Sequence, residues 1–94
     1  MPKQRPNPDE LCTQIEQEKA ELWPDYTLYG WVTARLDEDA ETVVLMKAYK
    51  TKDFARAAAA QDKPVTTYFF PIFKEPQTGK QWPSKDDVYD YITY

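Results

Sequence analysis

The chain has 94 residues, a formal net charge of −4, one cysteine, no histidine, eight prolines and only two glycines. That length fits one domain with a marginal core, burying about 60–65% of the unfolded surface. The 41% hydrophobic and 15% aromatic content is too high for a disordered chain, and the missing histidine removes the commonest general base, the Ser–His and Cys–His pairs and the commonest zinc ligand.

Residues 1–6 are polar and proline-bearing and read as a flexible N-terminal arm; residues 7–94 read as a single compact domain. In "NPDELCTQIEQEKAELWP", Asn7 is a good N-cap, Pro8 suits the first helical position and Glu10 completes a capping-box spacing. Leu11, Cys12, Ile15, Leu22 and Trp23 form its apolar stripe, and Pro24 closes the helix. In "YTLYGWVTARL" (26–36) apolar residues alternate, with Leu28, Val32, Ala34 and Leu36 on one face and Tyr29, Trp31 and Arg35 on the other. "DEDAE" (37–41) is a polar turn of about five residues leading into a second strand, "TVVLMKAY" (42–49). Val44, Met46 and Ala48 are expected to join the core, which leaves Val43, Leu45, Lys47 and Tyr49 on the opposite side.

"TKDFARAAAAQDKP" (51–64) reads as a helix capped by Thr51 or Asp53 and stopped by Pro64, with Phe54 and alanines on its apolar face. "VTTYFFPIF" (65–73) is a third strand, and Pro71 argues for an edge or a bulge. A turn at Thr78–Gly79, a short strand at 80–82 and a Ser84-capped helix over 85–92 with Val88, Tyr91 and Ile92 inward complete the chain. The expected fold class is α+β: a small antiparallel sheet of three to four strands with three flanking helices, in the order α-β-β-α-β-(β)-α.

Charge is uneven. Residues 9–23 carry five acids and one lysine; "DEDAE" carries four acids in five residues; 47–63 carries Lys47, Lys50, Lys52, Arg56 and Lys63 against two aspartates. A whole-domain basic footprint for nucleic acid is absent. Gly30 and Gly79 cannot build a phosphate-cradling loop. Cys12 lies on an apolar stripe beside acids that raise a thiol pKa, so it reads as a buried, inert thiol. "DEDAE" lacks the glycine and spacing of a calcium loop. No enzymatic activity, cofactor or metal is expected. The start "MPKQRPNPDE" has no apolar signal region and no apolar run reaches 18 residues. A cytoplasmic protein is expected, or a nuclear one in a eukaryote.

Both sheet faces carry apolar residues, so either helices cover both or one is partly free. Trp, Tyr and Arg are the residues that most often anchor interfaces. The functional expectation is therefore a small acidic protein-binding module that docks on a larger partner protein and masks or inhibits it. Its contact residues would be Tyr29, Trp31, Arg35, Asp37, Glu38, Asp39, Tyr49 and Trp82, the acids steering it toward a basic surface. The alternatives are a nucleic-acid contact through Lys47, Lys50, Lys52, Arg56 and Lys63, and a homo-oligomeric subunit. The series Gly30–Trp31, Tyr68, Gly79–Lys80, Trp82 and Ser84 resembles the methyl-CpG-binding domain. Pro83 and the acidic 37–39 stand where that family carries its two base-reading arginines, so guanine readout has no donor there and the family is not assigned.

Overall fold

The computed structural model describes residues 5–62 and 65–94. Helix α1 (Pro8–Leu22) opens the fold, followed by strands β1 (Thr27–Asp37) and β2 (Thr42–Tyr49), helix α2 (Lys52–Gln61), strands β3 (Tyr68–Lys74) and β4 (Gln81–Trp82), and helix α3 (Lys85–Thr93). The strands form one antiparallel sheet in the order β2-β1-β3-β4. This is the α+β architecture expected from the sequence. Among the described residues no helix is long and apolar enough to cross a membrane.

Each helix begins where a side chain can take up an orphan backbone N–H. Asn7 Oδ1 accepts from Glu10 N at 2.8 Å, and Thr51 Oγ1 accepts from Phe54 N at 3.3 Å. At α3 the exchange is reciprocal: Ser84 Oγ accepts from Asp87 N, and Asp87 Oδ2 accepts from Ser84 N. Gly79, with φ of +74°, closes the turn before β4, while its N–H donates to Glu75 O at 2.9 Å. Pro64 lies outside the described residues.

Two clusters hold the sheet. The larger joins Leu11 and Ile15 of α1, Ala34, Val43, Tyr68, Phe70, Ile72, Phe73 and Trp82 from the strands, and Val88 and Ile92 of α3. The smaller, on the other face, joins Trp31 and Phe69 to Ala55 and Ala59 of α2, with Cys12 of α1 and Tyr49 alongside. Alanines at 55 and 59 let α2 lie close enough to cover the indole. α1 packs along β3, whose residues 68–72 have a strand partner on one side only. That is a position a proline tolerates, and Pro71 occupies it.

Several packing expectations need correction. The second face is not left free: α2 covers it, with Cys12 of α1 at its margin. Trp31 is accordingly 7% exposed, and Trp82 is buried against Phe73 and Tyr91, with ring centroids 6.4 and 6.5 Å away. Phe54, expected to face the core from α2, is exposed; Leu28, expected inside, is exposed because β1 there runs past the end of β2. In β2 the faces are exchanged: Val43 is buried, while Val44 and Met46 are exposed. The hairpin explains it. Asp37 pairs with Thr42, leaving a four-residue loop rather than five, and one residue of register moves every side chain to the other face. A bulge at Met46, between the Ala34–Leu45 and Thr33–Lys47 pairs, then restores the expected parity, so that Ala48 pairs with Val32 and Tyr49 with Trp31, yet Ala48, expected in the core, is exposed.

Candidate interaction surface

The expected contact residues separate by burial. Tyr29, Glu38 and Asp39 are exposed; Arg35, Asp37 and Tyr49 are half-buried; Trp31 and Trp82 are in the core. The indoles hold the sheet to its helices, so neither ring is presented at the surface. Tyr29 sits at the first bulge of β1, with Lys74 Nζ 3.8 Å from its ring centroid. Eight residues along the strand separate it from Asp37, about 26 Å at the usual rise. The structure therefore does not assemble Tyr29, Trp31, Arg35 and Tyr49 into one aromatic patch. It does bring Arg35, Asp37, Glu38 and Asp39 together at the hairpin end.

Arg35 is committed internally. Its Nη2 donates to Asp62 Oδ2 at 2.7 Å, and Thr67 Oγ1 donates to the same oxygen at 2.8 Å. The guanidinium and the Thr67 hydroxyl hold the Asp62 carboxyl below the ordinary carboxylate range. This network ties β1 to the C-terminal end of α2 and to the segment entering β3. Arg35 Nε is buried with no partner among the described residues. Arg35 thus acts as a fastening, not as a free cation for a partner.

The acidic tip is built for exposure. Asp37 Oδ1 accepts from Ala40 N at 3.1 Å and Glu38 O accepts from Glu41 N at 3.3 Å, closing the turn with Glu41 at φ of +54°. Arg5 pairs with Glu38, and Tyr68 donates its hydroxyl to Pro6 O at 3.2 Å. The described end of the N-terminal arm is therefore tethered beside the tip. An open cleft of about 1100 Å³ lies there, with Glu10, Asp37, Glu38 and Asp39 among its walls and Val44 and Val65 as apolar lining.

The basic stretch is partly neutralised by the acids of α1. Lys52 Nζ reaches Glu16 Oε1 at 3.2 Å and Arg56 Nε reaches Asp9 Oδ1 at 3.0 Å. Lys47 lies 5.7 Å from the Tyr49 ring centroid, Lys50 is exposed, and Lys63 lies outside the described residues. Cys12 is buried; burial, then the adjacent Glu16 carboxylate, push its thiol up to about 12. A thiol so placed is a poor nucleophile at neutral pH.

The feature that sequence reasoning missed is β2 itself. It is the outermost strand of the sheet, and among the described residues no strand pairs with its outer edge. Val44, Leu45 and Met46 are 50%, 42% and 43% exposed. Val44 pairs with Arg35 and Leu45 with Ala34, so the exposed residues lie on both faces of the strand. Lys47 is the only charge within it. An open edge offers main-chain donors and acceptors as well as side chains, the chemistry by which a sheet receives an added strand. Comparison with known protein families, with characterised proteins and with solved structures finds no match for this chain.

Proposed function

We propose that the protein is a small non-enzymatic binding module that docks on a partner protein through the open edge of β2, with the acidic hairpin tip as its electrostatic guide. The observation that carries this reading is the trio Val44, Leu45 and Met46, exposed on an unpaired edge strand directly after four acids in five residues. Edge strands of soluble proteins are ordinarily guarded by charge, proline or cover. Here the guards are limited to Lys47 and the bulge at Met46, and Val44 and Leu45 carry none.

Main-chain pairing would supply the geometry of docking, and the apolar trio its desolvation. Glu38, Asp39 and Glu41 would raise the association rate with a basic surface and make it sensitive to salt. Docking of this kind masks what it covers, so an inhibitory or accessory role follows from it without any catalytic group. The pairing of Lys52 and Arg56 with α1 carboxylates favours a protein partner over nucleic acid, since it leaves less free positive charge for phosphates.

Affinity capture from source cells tests the proposal, using the wild-type chain, Leu45→Lys, and a tip variant carrying Glu38→Lys and Glu41→Lys. A protein retained by wild type and lost by both variants, with unchanged circular dichroism, supports it. Equal capture by all three overturns it.

A further inference from the structure

We infer that in the free protein the β2 edge is occupied by a second copy of this chain, the two β2 strands pairing antiparallel about a two-fold axis to make one continuous sheet. This inference rests on the docking reading of that edge and names its occupant.

Charge and symmetry both select this occupant. β2 begins beside acids and ends beside bases: Asp37, Glu38, Asp39 and Glu41 precede its apolar trio, while Lys47, Lys50 and Lys52 follow it. Antiparallel pairing with a copy sets the acidic start of each strand level with the basic end of the other. Parallel pairing would set like charge against like, which is repulsive across strands. The same surface then serves both partners and the contact closes on itself, as a two-fold interface requires.

Symmetry also restricts the register. Opposed residues in a sheet must point to the same face, and neighbours along a strand point to opposite faces. A two-fold axis between identical strands must therefore pass beside one residue and its own copy, never between two residues. With Val44 on the axis, Val43 lies level with Leu45 of the copy, and the acidic tip of each chain lies beside the Lys47–Lys50 end of the other. With Leu45 on the axis, Val44 lies level with Met46 of the copy, and the same oppositely charged ends meet. Both registers bring the apolar trios together at the centre.

The strand's one internal charge fits this arrangement. A lysine on an edge usually deters pairing. Lys47 faces the acidic tip of the copy instead, so it deters parallel or out-of-register association and admits the two-fold one. The ion pairs that the tip and the basic end now make, Arg5 with Glu38 and Lys52 with Glu16, are solvent-exposed. Exposed pairs contribute little and exchange readily.

The test is sedimentation of the full chain over a range of protein and salt concentrations, with charge-exchanged variants. One variant carries Glu38→Lys and Glu41→Lys; the other carries Lys47→Glu and Lys50→Glu. Wild type should form a dimer that weakens with salt, and Leu45→Lys should be monomeric with unchanged circular dichroism. Each charge variant alone should self-associate about tenfold more weakly or worse, since like charges then oppose each other at both ends. Mixed together, the two should form a heterodimer, because every opposed pair is again of opposite sign. A dimer indifferent to Leu45→Lys and to mixing overturns the inference. A wild-type monomer at all concentrations overturns it too. If capture of another protein is then still lost in Leu45→Lys, the docking reading survives; if capture is unaffected, both fail.

Discussion

Trp31→Ala separates a core residue from a contact residue. The ring lies under α2, packed with Ala55, Ala59, Phe69 and Cys12, and is 7% exposed. Truncating a buried tryptophan removes its transfer free energy and leaves a cavity, together about 3–5 kcal/mol. A chain of 94 residues has a total stability of about 5–14 kcal/mol at the usual per-residue range. Its unfolding entropy near the midpoint is about 0.2 kcal/mol/K. The expected fall in Tm is therefore about 15–25 °C, readable by circular dichroism or scanning calorimetry. Tyr29→Ala, at a ring 63% exposed on the same strand, should move the midpoint by no more than about 3 °C, within the range of surface substitutions. A fall of less than about 5 °C for Trp31→Ala would refute the packing of α2 over the indole. Trp31 would then return to the surface as a contact residue.

Three further outcomes follow from local geometry. Ser84→Ala removes the cap of α3 and its reciprocal partner bond, and should cost about 0.5–2 kcal/mol, seen as a lower denaturant midpoint with an unchanged slope; Ser84→Asp should recover most of it. Cys12, its thiol held up to about 12 by burial and Glu16, should alkylate with iodoacetamide far more slowly in native protein than in denaturant, and equal rates would place it at the surface. Asp62 has its pKa lowered by Arg35 and Thr67, so its contribution is present above the unfolded value near 4 and is lost as pH falls through the folded one. Asp62→Asn should accordingly flatten the acid limb of the stability profile. It will not abolish that limb, because Thr78 and its neighbours hold Glu75 low as well.

Local signals in the sequence carried far. Asn7, Thr51 and Ser84 cap the helices they were expected to cap, because a cap is decided within four residues. The element order and the antiparallel sheet follow from the alternating and helical periodicities. Contacts between distant segments were less legible. Both α1 and α2 have a face able to cover Trp31, and in the fold Ala55 and Ala59 of α2 do so with Cys12 of α1 alongside, a contact that no local pattern announces. Trp82 reads as off the inner stripe of α3 because it belongs to β4, a strand of two residues that pairs with Phe73 and Lys74. Two residues give no periodicity to read. The candidate site suffered most, since strand order within a sheet is a non-local property, and it is strand order that puts β2 outermost.

The bare middle of β2 has a cause beyond the one-residue change in the hairpin loop. Register alone explains why Val43 points inward and Val44 outward. It does not explain why Leu45, on the same face as Val43, is also exposed. The helices account for that. Val43 shares a cluster with Val88 and Ile92 of α3 on one face, and Tyr49 packs with the α2 cluster on the other. Each helix thus covers one end of the strand on one face, and the residues between are open on both. A chain selected only to fold would be free to place charges at these three positions at little cost, because exposed substitutions rarely change stability by more than about 0.5 kcal/mol. Valine, leucine and methionine there gain little for the isolated monomer and raise its tendency to associate. The fold does not require them; the proposed edge interface would.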